Sequence, residues 1–181
     1  MTEAHPLRLA VAICVALLAT STAIAAPPSC EEFKARLAKA ERALGVPVPM
    51  PIYEDEGELD ERHDWALKIK GIEGELSCRL DGRFYSLQLS VIESDKYIAA
   101  RTRNLMFASL WAYTQWPRAR LNRALTTLLE GAVQELTENR IRGEHFDQGT
   151  GSIDLETNVT ASVYGGQDLR IGMMIDASTA K

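Results

Sequence analysis

Apolar side chains recur at two different spacings along the chain, and the changes of spacing divide it into helical and extended segments. Phe33, Leu37, Ala40 and Leu44 fall at helical intervals behind Ser29 and Glu32, which are placed to form a capping box, and Gly45 supplies a stop. Pro47, Pro49 and Pro51 then alternate with Val48 and Met50. A segment so rich in proline is extended but poor in ladder donors, so it reads as a linker or an edge and not as a core strand. Trp65, Leu67 and Ile69, then Leu76, Cys78 and Leu80, then Tyr85, Leu87, Leu89 and Val91 alternate with other residues, as strands with one buried face do. Turns at Gly71 to Gly74 and at Asp81-Gly82 join them into a three-stranded antiparallel meander.

Helical spacing returns after Ser94 or Asp95, either of which can cap, and runs to about Gln115. Ile98, Leu105, Met106, Phe107, Leu110, Trp111 and Tyr113 occupy more than one face, so this helix is expected to be central or partly covered by a partner. Pro117 suits the first turn of a third helix, with Leu121, Leu125, Leu128, Ala132 and Leu136 in register and Gly143 as its stop. Gly149 to Ser152 reads as a flexible turn. Ile153 to Val163 then alternates as a strand, Gly165-Gly166 as a turn, and Leu169 to Ile175 as the partner strand.

The expectation is an α+β fold: a single two-layer domain with an antiparallel sheet of about five strands, meander plus C-terminal hairpin, packed against about three helices. This order of elements resembles small α+β binding folds such as secretion-chaperone-like domains, without their final helix. A likeness of topology says little about function.

The start of the chain bears on where such a domain works. Arg8 against Glu3, an apolar run from Leu9 to Leu18, and small residues ending Ala23-Ile24-Ala25 make the three-part layout of a secretory signal peptide, with cleavage expected between Ala25 and Ala26. A retained anchor over Leu9 to Ala26 is the other reading, and Thr20, Ser21 and Thr22 count against it. Pro27-Pro28-Ser29 before Cys30 lacks the apolar position of a lipoprotein signal. Residues 1–25 are therefore expected to be removed, leaving 26–181 as one domain, periplasmic or secreted, with no stable membrane span. Cleavage discards Cys14 and leaves Cys30 and Cys78 in an oxidising compartment, which predicts one structural disulfide; C-x-x-C spacing for a redox role is missing.

Charge and candidate chemistry narrow the function without naming it. The net charge of −5, unchanged by loss of Glu3 and Arg8, does not favour nucleic acid as a partner. His63 and His145 stand in no zinc-binding spacing, and the acidic run from Glu54 to Asp64 reads as an exposed loop that lacks the alternating ligands and central glycine of a calcium loop. His145 and Asp147 have no G-x-S-x-G nucleophile to serve, and Gly149 to Ser152 leads into no helix that would hold phosphate. Asp154 and Glu156 share one strand face, which suits paired-carboxylate chemistry and ordinary surface alternation equally. Asn158-Val159-Thr160 fits a glycosylation sequon. No catalytic, metal or cofactor residue is assigned. The chain reads as an exported, non-enzymatic binding or accessory module for a macromolecule or anionic ligand, with a small extracytoplasmic hydrolase as the alternative.

One charge pattern locates a candidate site. Seven acids face Arg62 alone between Tyr53 and Asp64, whereas six bases and no acid lie between Lys96 and Leu129. Either the two surfaces face each other and solvent, or Arg118, Arg120 and Arg123, with Trp116 beside them at a helix start, form a positive patch for an envelope protein or anionic ligand. Replacing those arginines is expected to leave stability nearly unchanged. Trp111, Tyr113 and Trp116 are read as core, with an aromatic recognition surface as the other reading.

Overall fold

Ser29 Oγ accepts the Glu32 amide at 3.1 Å and Glu32 returns a carboxylate oxygen to the Ser29 amide at 3.0 Å. This capping box starts α1 (Cys30–Leu37), and a short α2 (Ala40–Leu44) follows after a break at Ala38 and Lys39. Gly45 ends α2 in the left-handed region, at φ 65°. The computed structural model describes residues 26–91, 96–143, 148–155, 160–166 and 171–177, with 96–99 and 160–166 as backbone only. The signal-peptide reading, the Ser94 or Asp95 cap, His145, Asp147, Glu156 and the Asn158 sequon lie outside the described residues.

Four strands then pair in antiparallel succession: β1 (Ile52–Leu59), β2 (Arg62–Lys68), β3 (Ile72–Arg79) and β4 (Phe84–Val91). The acidic run expected to be an exposed loop is therefore β1 and the start of β2. Acidic side chains tolerate this because β1 is an edge strand whose ladder runs along one side only, and it begins just after Pro51. A bulge between Asp55 and Gly57 bends it, with the Gly57 amide donated to the Asp55 carboxylate at 2.8 Å. Gly74, expected in a turn, belongs to β3.

Two long helices follow, α3 (Lys96–Thr114) and α4 (Arg118–Arg142). Pro117 is the N-cap of α4, and Gly143 closes it at φ 70°. The chain returns as β5 (Gln148–Asp154), β6 (Thr160–Gly166) and β7 (Ile171–Asp176). Among the described residues all strands share one antiparallel sheet of seven, ordered β1-β2-β3-β4-β7-β6-β5. The α+β class and its antiparallel sheet are as expected, but the sheet is wider. The strand expected from Ile153 to Val163 is split between β5 and β6, and Gly165-Gly166 lies within β6.

The segment expected to be a flexible turn, Gly149 to Ser152, is strand for a steric reason. A Cβ on Gly149 would overlap the Ala132 carbonyl oxygen and the Leu136 amide nitrogen, and one on Gly151 would overlap the Leu128 carbonyl oxygen. Two glycines at alternate positions thus let β5 lie directly on the backbone of α4.

Leu76, Leu87 and Ile175 sit in one cross-strand row, with Leu89 opposite Met173 in the next, and all are fully buried beneath the helices. Phe84 packs in tilted contact with Phe33 of α1 at 4.9 Å and Tyr113 of α3 at 5.0 Å between ring centroids. Cys78 faces this core and is bonded to Cys30, with Cα atoms 6.1 Å apart. Backbone bonds from Cys30 to Gly82 and from Phe84 to Pro28 seat the start of α1 against the β3–β4 turn.

Replacing both cysteines with serine is expected to lower unfolding free energy by about 4 kcal/mol, the chain-entropy value for a loop of this size. Urea denaturation checks it, and a loss within about 1 kcal/mol would show that α1 is held by packing alone. Gly149→Ala and Gly151→Ala should each cost about 1–3 kcal/mol by overpacking, while Thr150→Ala, between them on the other face, stays near neutral in the same assay.

Candidate functional site

The junction of α3 and α4 brings Arg118, Arg120 and Arg123 within two helical turns, with no acid among them. α3 ends as Gln115 takes a left-handed φ of 55°, its amide still bonded to the Trp111 carbonyl at 2.7 Å. Thr114 Oγ1 donates to the Leu110 carbonyl and accepts the Trp116 amide, which fixes the reversal into Pro117. The first turn of α4 has no acidic residue. Its N-terminal field, which favours anions, is left to the arginines that follow.

Those arginines separate. Arg118 and Arg120 are two positions apart and so cannot share a helix face. Arg118 turns toward α2 and donates through Nη1 to the Leu44 carbonyl at 3.0 Å. Arg120 lies over the Trp116 ring, 3.7 Å from its centroid. Arg123 is exposed. Trp116 and Trp111 are partly buried against the core and Tyr113 is buried within it, in line with the core reading for these aromatics.

Facing Arg118 is a cleft of about 290 Å³ that its spacing alone does not reveal. Phe107 of α3, Leu125 of α4 and Val46 make its apolar wall, Phe107 and Leu125 being only 6% and 3% exposed. Arg103 and Asn104 of α3 and Asn122 of α4 line it beside Arg118. Two clamps build the Val46 wall: Arg118 holds Leu44 as above, and Asn104 Nδ2 donates to the Pro47 carbonyl at 2.9 Å. Arg103, Asn122 and Arg123 have no hydrogen-bond or ion-pair partner among the described residues. Arg103 and Asn122 were missed in the sequence. Asn122 and Leu125 follow Arg118 at i+4 and i+7, a readable signal, whereas Arg103 joins them only through the packing of α3 on α4.

Four of the seven acids of the acidic segment have partners nearby. His63 Nε2 lies 2.8 Å from Asp55 and its Nδ1 3.8 Å from Glu58, Arg62 pairs with Asp64 at 3.1 Å, and Lys68 with Glu54 at 3.0 Å. Hydrogen bonds from His63 and from the Gly57 amide hold the Asp55 carboxyl below the usual carboxylate range. His63 stacks on Trp65, which in turn carries Lys34 Nζ 3.9 Å from its ring centroid. Beside them burial, aided by the Glu31 charge, pushes the Tyr53 hydroxyl up to about 12. Among the described residues no group of three or more His, Cys, Asp or Glu side chains is placed to hold a metal ion. No described helix is long and apolar enough to cross a membrane.

Compared with protein-family models, curated proteins and solved structures, the chain finds no match.

The expectation that all three arginines are dispensable for stability needs revision at Arg118, which bonds a helix-terminal carbonyl. Arg118→Ala should cost about 1–2 kcal/mol in urea denaturation, and Arg123→Ala, with no partner to lose, should stay within about 0.5 kcal/mol.

Proposed function

We propose that this protein is an exported, non-enzymatic binding module that captures an anionic macromolecular partner on the arginine surface at the α3–α4 junction. The observation that carries the reading is the segment from Lys96 to Leu129, which holds six bases and no acid along α3, the junction and the first half of α4. Arg103 and Arg123 there have no partner among the described residues, so their guanidinium groups remain available to a carboxylate or phosphate. The cleft beside them is lined by no carboxylate, imidazole, thiol or hydroxyl side chain, which supports binding over hydrolysis. The periplasmic or secreted setting rests on the N-terminal pattern, and an acidic envelope protein suits both the setting and the charge.

Immobilised poly-L-glutamate is a defined probe of this surface. Wild-type protein should bind it with an affinity that falls steeply as salt rises, because exposed charges are screened over about 8–10 Å at physiological ionic strength. The double variant Arg120→Gln/Arg123→Gln should bind at least about tenfold more weakly, with the thermal midpoint little changed. Equal binding by the double variant would reduce the arginines to a solvated surface.

A further inference from the structure

We infer that the cleft between the end of α2, α3 and α4 captures the C-terminal carboxylate of a partner polypeptide ending in an apolar residue. The inference rests on the binding reading above and names what the partner presents. Three features of the cleft converge on it. Arg103 and Arg118 supply guanidinium groups from two different helices to one space, and that planar fork suits a carboxylate, the anion a polypeptide end carries beside an apolar side chain.

The second feature is apolar. Phe107, Leu125 and Val46 form a wall that a bare inorganic anion would leave uncovered. The volume of about 290 Å³ is far more than a lone carboxylate needs and leaves space for a side chain such as leucine against that wall.

The third feature distinguishes a peptide end from a simple fatty acid. Asn122 has no hydrogen-bond partner among the described residues, and Asn104 spends its Nδ2 on Pro47 while its Oδ1 has none there. Side-chain amides both donate and accept, which a terminal peptide group satisfies and a hydrocarbon chain does not. Capture of a chain terminus by convergent donors is an established mode of peptide recognition. The clamps on Leu44 and Pro47 hold the third wall in place, so the site is formed before the ligand arrives.

The test uses the N-acetylated tripeptide serine–glycine–leucine as free acid and as C-terminal amide, with the free acid of serine–glycine–serine as a third arm. Binding is followed by amide chemical shifts of the isotope-labelled protein. The free leucine acid should bind saturably and shift resonances around Val46, Arg103 and Asn122, and the other two peptides should bind at least about tenfold more weakly. Arg103→Gln should weaken the leucine acid by a similar factor, Asn122→Trp should block it by filling the cleft, and Arg123→Gln should leave it unchanged. Equal binding of acid and amide, equal binding by the Arg103 variant, or no shifts in the cleft would each overturn the inference. Retained poly-L-glutamate binding by Asn122→Trp separates the two proposals: a failed peptide titration then removes the cleft ligand and leaves the arginine surface standing.

Discussion

The covalent tie between Cys30 and Cys78 is the constraint from which the helical layer takes its position. α1 has eight residues, too few to persist as a helix by itself, and its Ser29–Glu32 capping box satisfies only its first amides. Bonding its first residue to the inner face of β3 sets Phe33 against Phe84, and Phe84 in turn meets Tyr113 of α3. From that fixed start the chain has only α2 before it reaches Leu44, Val46 and Pro47. The wall of the cleft is therefore placed by a crosslink at the opposite end of the helical pair, and Arg118 and Asn104 then hold it from the other side.

The other half of the molecule is held by close approach instead of by a crosslink. β4 and β7 are neighbours in the sheet although α3, α4, β5 and β6 lie between them in sequence, so the central ladder joins segments far apart in the chain, and the returning half packs through α4 on β5. Gly149 and Gly151 make that meeting possible by leaving the helix backbone uncontested. Such long-range closure in an antiparallel sheet carries a large loop entropy and belongs to slow-folding topologies.

Periodic segments with one buried face were legible in the sequence: Leu76, Leu87, Leu89, Met173 and Ile175 alternate because one face meets the helices, and each is buried as the alternation requires. The caps at Ser29 and Gly143 were legible because their chemistry is local. Strand β1 was not, because an edge strand needs no apolar face and its acids obey solvent instead of core. Strand β5 was not either, since its contact with α4 depends on side chains that are missing, and glycine reads as a turn when its neighbour is unknown. At the site, the charge imbalance was visible in composition, but its division was not. Helical geometry sends Arg118 toward the cleft and Arg120 onto Trp116, and Arg103 reaches that cleft only through the packing of α3 on α4.

The bulged, acidic β1 also sets how copies of this protein can meet. The sheet has two edges, β1 and β5, and growth of a fibre by strand addition requires that both accept a neighbour. An incoming β1 would bring Glu54, Asp55, Glu56 and Glu58 against the same four residues, across a backbone bent at Gly57. That edge repels its own kind. Of the two ways in which like edges can meet about a twofold axis, β1 on β1 is therefore disfavoured and β5 on β5 is not. An open-ended stack of sheets would have to join the β1 edge of one copy to the β5 edge of the next, so the charge on β1 bears on symmetric pairing first.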